Sequence, residues 1–140
     1  MPWTGPFQLR HYLDRSGGAS PLPPEHMGLY VVTERVWGTP PVTDEEPLQT
    51  AGLLWFGRHL TNLRARIGDL ISSLLGFHGQ VAGRHAGGIS ISVGFLLQNG
   101  MSPLDLWIAW NDGFTNIRDV IAGEKDLIRR LNPGFNKKRF

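Results

Sequence analysis

Three short runs of apolar, β-branched and aromatic residues predict β-strands, at residues 28–35, 53–58 and 104–110. Between the first two runs, residues 36–50 hold three prolines and a cluster of acidic residues. Because proline donates no backbone hydrogen bond, this stretch can form neither a central strand nor a stable helix. We therefore expect it to be a long excursion that connects two neighbouring strands.

Apolar positions that recur at steps of three and four predict a helix from an N-cap at Thr61 to about Leu75. These positions are Leu63, Ile67, Leu70, Ile71 and Leu74. The following residues, 76–88, contain five glycines and two histidines, and we expect them to form a loop.

Residues 89–100 fit two patterns at once, since their apolar positions alternate as in a strand and also share one helical face. The pair Asn99–Gly100 is typical of a helix C-terminus, which favours the helix. A last helix is expected from an N-cap at Thr115 to Leu131, because helices end before a proline such as Pro133.

The resulting order of elements is strand, strand, helix, helix, strand, helix. This order predicts an α+β fold, a small sandwich in which a three-stranded antiparallel sheet is flanked by helices. Residues 1–24 are rich in Pro, Gly and Ser, so we expect an N-terminal arm or linker with one helical turn near residues 9–14. The domain itself is expected to span residues 25–140.

The 140-residue chain has a net charge of only +2, but its charges are unevenly placed. Residues 118–140 include seven basic and three acidic side chains, which permits an anionic partner. The chain has no cysteine, and this excludes disulfides, thiolate zinc sites and cysteine nucleophiles. With no signal-peptide pattern and no apolar run that matches a membrane span, we expect a cytoplasmic protein that does not enter membranes.

Candidate chemistry begins at the ends of the first two predicted strands. The first strand opens with the triplet Gly28–Tyr30, and the second ends with the triplet Trp55–Gly57. The predicted helix that follows carries Asn62–Leu63 and then Arg66 in its first turns.

A third pattern lies in the last predicted helix and just beyond it. It consists of Glu124, the pair Leu127–Ile128, Pro133 and Asn136. Taken in order, the three segments resemble the GIY-YIG nucleases, which have two such triplets, a catalytic arginine and a metal-binding glutamate. The resemblance covers about residues 27–138 and implies Arg66 and Glu124 as the catalytic pair, with Asn136 stabilising the site.

The chemistry of phosphodiester hydrolysis suits these residue types, since it needs an activated water and an electrophile for the developing charge. The resemblance makes Glu124 the ligand of Mg²⁺, with Mn²⁺ as an alternative, and both are cations that accept oxygen ligands. Arg66 would grip the non-bridging phosphate oxygens. Tyr30 would act as general base or orient the attacking water. A free phenol titrates near about 10, so the base role needs a nearby cation, for which Arg58 and Arg66 are candidates.

Trp55 stands where the family has its second tyrosine, and an indole has no titratable proton. Tyr30 therefore carries any phenol role alone. Two alternatives for activating the nucleophile remain open, a metal-bound water and His59, whose imidazole pKa suits a base near neutral pH.

The spacing from Gly57 to Arg66 is one residue longer than the family's pattern, which makes Arg64 the alternative for the arginine role. The two arginines cannot share one helix face, so only one is expected to point into the site.

Residues 83–88 (GRHAGG) resemble a GR-x-SG-type segment in the branch of the family that contains restriction enzymes. This resemblance implies that His85, or alternatively His78, is a proton shuttle near the attacking water. Glycines there would let the backbone approach a phosphate closely. The residues expected to contact DNA are Arg64, Arg84, Asn136, Lys137 and Lys138.

The sequence thus predicts a metal-dependent DNA endonuclease of restriction or phage type. The alternative is a catalytically weakened DNA-binding module on the same fold, which Trp55 favours. A third possibility, a small regulatory domain that does not touch nucleic acid, is disfavoured by the basic end of the chain. An enzyme that cuts palindromic sites would also need to be a two-fold homodimer.

Overall fold

Strands of one antiparallel sheet and helices on both of its faces make up the described part of the chain. The computed structural model describes residues 2–14, 21–47, 52–77 and 85–136. The strands are β1 (Trp3–Gln8), β2 (Gly28–Thr33), β3 (Val42–Thr43), β4 (Leu53–His59) and β5 (Trp107–Asn111). The α-helices are α1 (Leu9–Leu13), α2 (Leu63–Leu74), α3 (Ala86–Ile91), α4 (Leu97–Asn99) and α5 (Ile117–Leu131). A π-helical turn (Ser92–Leu96) joins α3 to α4, and a 3₁₀ turn (Pro103–Asp105) precedes β5.

The sheet has the strand order β3-β1-β5-β2-β4. The three strands predicted from the sequence form its β5-β2-β4 half, in which Tyr30 pairs with Gly57 on one side and with Trp110 on the other. The predicted α+β class is confirmed. The predicted number of three strands is wrong, because the sheet continues through β1 to β3.

The extra strand β1 comes from the segment that the sequence predicts to be an arm. Gly5 and Pro6 interrupt the strand pattern there, and the pairing with β5 shifts register between Thr4 and Phe7. The ends of the segment are nevertheless tied to the core, since Trp3 and Leu9 are buried. Residues 3–13 therefore form β1 and α1, and a bulged strand hides the alternation by which strands are recognised in a sequence.

The excursion after β2 forms the two-residue strand β3 at the edge of the sheet, where proline is tolerated. We expect residues 36–50 to contain neither a central strand nor a helix. The described part of this stretch, residues 36–47, agrees with that expectation. A pair of hydrogen bonds from Arg130 to Glu46, at 3.2 and 3.0 Å, ties the excursion to α5.

Alternation along β2 divides the core into two layers. Tyr30 and Val32 pack in a cluster with the buried face of α2, whereas Leu29 and Val31 pack in a second cluster with α5. Both sets of side chains are almost fully buried. Successive strand residues point to opposite faces, so the central strands of this sheet are apolar on both sides.

Both long helices begin one residue later than the sequence predicts. Asn62, not Thr61, caps α2 by accepting a hydrogen bond from the backbone N–H of Ala65 at 3.0 Å. Asn116, not Thr115, caps α5 in the same way. Threonine and asparagine are both good caps, so adjacent candidates are not separated by propensity alone.

The ambiguous segment 89–100 is helical, as favoured by its C-terminal pattern. It runs from α3 through the π-helical turn to α4, and Gly100 ends it with a left-handed φ of 61°. The helix starts earlier than predicted, at Ala86, because His85 caps it inside the predicted loop. The third predicted strand starts later, at Trp107, because residues 103–105 form the 3₁₀ turn.

Candidate active site

The ring of Tyr30 lies across its pairing partner Gly57. A Cβ atom added at residue 57 would lie 2.1 Å from Cζ and 2.2 Å from Oη of Tyr30, far inside van der Waals contact. Only glycine leaves room for the phenol at this point of β4. The glycine of the second triplet thus has a steric role, which is to let the tyrosine of the first triplet reach across the strand.

His85 holds the phenol oxygen, with Nε2 of the imidazole 2.5 Å from Oη of Tyr30. The other ring nitrogen, Nδ1, accepts a hydrogen bond from the backbone N–H of Gly88 at 3.0 Å. In the neutral imidazole the proton therefore sits on Nε2, which donates to Tyr30. His85 is fully buried, so its place in the site is behind the phenol.

Arg66 faces Tyr30 from α2 and changes its electrostatics. Burial raises the pKa of Tyr30 to about 12, and the charge of Glu124 adds to the rise, whereas Arg66 and the polar edge of Trp55 oppose it. The phenol is consequently protonated at neutral pH. Its oxygen nonetheless lies among groups that stabilise negative charge, namely a guanidinium and a donating imidazole.

Trp55, the first residue of the second triplet, forms a wall of this site. Its ring lies against Gly87, where an added Cβ would be 2.5 Å from Cδ2. It also packs edge-on against His85, with ring centroids 5.7 Å apart. The indole therefore positions the imidazole that in turn holds Tyr30, a supporting role that needs no titratable proton.

On the opposite face of β4, Arg58 forms an ion pair with Glu124. Arg58 and Leu29 are register partners, so the arginine points to the α5 side of the sheet. Glu124 is only 1% exposed, whereas the Arg58 side chain is 32% exposed. The sequence makes Arg58 a candidate cation for lowering the pKa of Tyr30, and this expectation is corrected. Arg58 pairs with Glu124, and Arg66 is the cation that lowers the pKa of Tyr30.

The carboxylate of Glu124 is the group in the site that suits a hard cation. Within the four described ranges, no cluster of three or more His, Cys, Asp or Glu side chains could hold a metal ion. Mg²⁺ is commonly bound by one or two carboxylates, with waters and substrate phosphates as the other ligands. A single buried carboxylate on α5, paired with Arg58 near the end of β4, fits this pattern, and Glu124 would be the protein ligand.

The two arginines of α2 point in different directions, as expected. Arg64 donates from Nε to the carbonyl of Pro23 at 2.8 Å and pairs with Glu25 at 3.3 Å. Arg64 thus lies against residues 23–25. Two helix positions differ by about 200° around the axis, so Arg66 points to the other side of α2. The structure therefore places Arg66, not the alternative Arg64, beside Tyr30.

Two other predicted site residues have local structural partners. Nδ1 of His59 accepts hydrogen bonds from the backbone N–H groups of Thr61 and Asn62, at 3.2 and 2.8 Å, and so orders the turn into α2.

The amide of Asn136 forms hydrogen bonds with both backbone groups of Phe56, at 2.8 and 2.9 Å, and the residue is 2% exposed. The expectation that Asn136 contacts DNA is corrected, because its buried amide is bonded to the backbone of β4. Arg84, Lys137, Lys138 and His78 lie outside the described residues.

Asn111 at the end of β5 is a residue that the sequence did not single out. Its Oδ1 accepts a hydrogen bond from the Gly113 N–H at 3.0 Å, which fixes the orientation of the amide. Among the described residues, nothing accepts from its buried Nδ2. Asn111 and Arg58 are register partners of the same residue, Leu29, from either side. In the sequence, Asn111 before Asp-Gly is indistinguishable from an ordinary turn residue.

Comparison with protein-family models, with curated proteins and with solved structures found no match to this chain. None of the helices in the described ranges has the length and apolar character that crossing a membrane requires.

The environment of Tyr30 predicts an unusual phenol titration. In a Tyr12→Phe variant, Tyr30 is the one remaining tyrosine, and we expect its ultraviolet difference absorbance to titrate near pH 12. A folded-state pKa above the unfolded value means that stability is full below about pH 10 and falls between about pH 10 and 12, by about 3 kcal/mol. Unfolding by urea across this range checks the fall. A midpoint at or below pH 10 in the folded protein would contradict the buried position of the phenol.

Proposed function

We propose that this chain is a small metal-dependent DNA endonuclease of the GIY-YIG type, which hydrolyses phosphodiester bonds with Mg²⁺ or Mn²⁺. The observation that carries the proposal is the meeting of residues from all three segments of the resemblance at one end of the sheet. Tyr30 and Arg66 lie on the α2 side, and the charge of Glu124 from the α5 side acts on the same phenol. Side chains separated from Tyr30 by up to 94 positions in the sequence thus act electrostatically on its phenol.

In this proposal Arg66 binds the non-bridging oxygens of the scissile phosphate, since a guanidinium stays charged at any working pH. Glu124 holds the cation, which when bound supplies an electrophile and lowers the pKa of a coordinated water. Tyr30 orients the attacking water through its oxygen. The raised pKa favours orientation over general-base catalysis, because a phenol with a pKa of about 12 is almost entirely protonated at pH 7.

A second candidate function is a DNA-binding module that has lost its chemistry. The observation in its favour is the ion pair of Arg58 with Glu124, which occupies the carboxylate that a cation would need. On this account the basic side chains near the C-terminus would bind the phosphate backbone, and the affinity would fall steeply with salt.

Supercoiled plasmid separates the two functions. The folded chain is incubated with plasmid in Mg²⁺, in Mn²⁺ and in EDTA, and the products are resolved on a gel. The endonuclease predicts nicked or linear DNA with either cation and intact DNA in EDTA. Salt-dependent retardation of intact plasmid under all three conditions would instead assign the binding module and remove the nuclease proposal.

A further inference from the structure

The carboxylate of Glu124, which the proposed cation would need, is already paired with Arg58. The pair joins residues 66 positions apart, from the end of β4 and the middle of α5. A buried carboxylate without a counter-charge is strongly destabilising, so the guanidinium neutralises Glu124 when no metal is present. A divalent cation that binds the same carboxylate must therefore compete with Arg58.

The two members of the pair differ in their freedom to move. Glu124 is enclosed between α5 and the sheet, but about a third of the Arg58 side chain is exposed. Arg58 is the penultimate residue of β4, which is an edge strand of the sheet. The flexible and partly solvated partner is the arginine. Displacement of the ion pair would leave the carboxylate in place and release the guanidinium toward solvent.

A released guanidinium at this position is a phosphate ligand. It provides planar, paired donors that match the oxygens of a phosphate group, and its release costs less when such an acceptor is near. Arg66, the proposed phosphate-binding residue, lies across β4 on the other side of Tyr30 and Gly57. The two arginines could then bind the DNA backbone from opposite sides of the strand.

We infer that Arg58 is a positioning residue that exchanges Glu124 for a DNA phosphate when a divalent cation binds. This inference rests on the proposed function. Cation binding and DNA binding are then positively coupled, because each favours the state in which the ion pair is open. In the absence of DNA, Arg58 keeps the affinity for the cation low.

Binding of Mn²⁺ alone, measured by electron paramagnetic resonance of the free ion, tests the exchange without any cleavage. We expect Arg58→Gln to bind Mn²⁺ about tenfold more tightly than wild type, because a competing charge is removed. Arg58→Lys keeps the charge and should retain the weak wild-type affinity. Arg118→Gln removes an exposed charge of α5 and should change the affinity less than twofold. Glu124→Gln should abolish the binding.

The possible outcomes separate this inference from the function on which it rests. If Mn²⁺ binds through Glu124 but Arg58→Gln binds it no more tightly than wild type, the exchange is overturned and the nuclease proposal stands. If neither wild type nor Arg58→Gln binds Mn²⁺, the exchange is overturned, and the plasmid assay decides the nuclease proposal separately, because a substrate phosphate would supply further ligands to the cation. Arg58→Met, which keeps the aliphatic stem, repeats the comparison if circular dichroism shows that the glutamine variant is unfolded.

Coupling to DNA gives a second readout. Fluorescence anisotropy of a labelled mixed-sequence duplex is measured with and without Ca²⁺, another cation that prefers oxygen ligands, over times for which a gel shows intact DNA. Wild type should bind the duplex several-fold more tightly with Ca²⁺, and Arg58→Gln should show a smaller gain. An equal gain in both proteins would contradict the exchange.

Discussion

Replacing Arg66 with alanine is expected to lower the rate of DNA cleavage by about 10²- to 10³-fold, the usual cost of removing one group that stabilises transition-state charge. The guanidinium lies beside Tyr30 and is the cation that lowers the pKa of this phenol. Its loss would remove the proposed contact to the scissile phosphate. The rate is measured under single-turnover conditions with Mg²⁺, so that product release does not limit it.

Arg64→Ala is the matched control, because it removes the same side chain from the same helix two positions earlier. Arg64 binds the Pro23 carbonyl and Glu25, away from the phenol. At saturating enzyme, its replacement should change the single-turnover rate by no more than about threefold, because a contact of Arg64 to DNA would affect binding and not the chemical step. Equal losses in the two variants would show that general charge, not the position of Arg66, supports cleavage.

Gly57→Ala is expected to destabilise the fold by about 3 kcal/mol or more, at the upper end of the cost of overpacking a core. The new methyl group would overlap the ring of Tyr30, which is held on its far side by His85 and cannot retreat. The free energy of unfolding is measured by urea denaturation with circular dichroism. The variant should also lose the raised pKa of the phenol, because the ring must leave its buried position.

Gly68→Ala supplies the opposite expectation within the same protein. Gly68 lies on the exposed side of α2, and a Cβ there would meet no atom within 4 Å. Alanine is the better helix former, so this variant should be more stable by about 0.5–1 kcal/mol. If the two substitutions changed the free energy of unfolding with the same sign and by the same amount, this would contradict the close contact of the Tyr30 ring with Gly57.

The central part of the fold was accessible to sequence reasoning because its signals are local. The apolar runs of β2 and β4 and the three-and-four spacing of α2 appear without interruption in the sequence. The sequence does not predict β1, because Gly5 and Pro6 occupy a bulge whose pairing depends on β5, about 100 residues later. Such long-range hydrogen bonds leave no periodic pattern in the shorter segment.

In the candidate site, too, local features could be predicted from the sequence and long-range contacts could not. The orientation of Arg66 away from Arg64 followed from helix geometry. The partners of Arg58 and Asn136 did not, because each is set by contacts between distant segments, with Glu124 on α5 and with the backbone of Phe56. The resemblance of residues 83–88 to a family segment implies that His85 is a shuttle, whereas its complete burial depends on packing against Trp55 and Tyr30.

Cleavage by Glu124→Gln tests the proposed nuclease most directly. The substitution keeps the shape of the side chain and removes the charge that would hold the cation, and Arg58, partly exposed, can turn to solvent. Folded wild-type chain should convert supercoiled plasmid to nicked or linear DNA in Mg²⁺, whereas folded Glu124→Gln should still bind duplex DNA and leave the plasmid intact. Cleavage by the variant at the wild-type rate, or no cleavage by the folded wild type with either Mg²⁺ or Mn²⁺, would contradict the account.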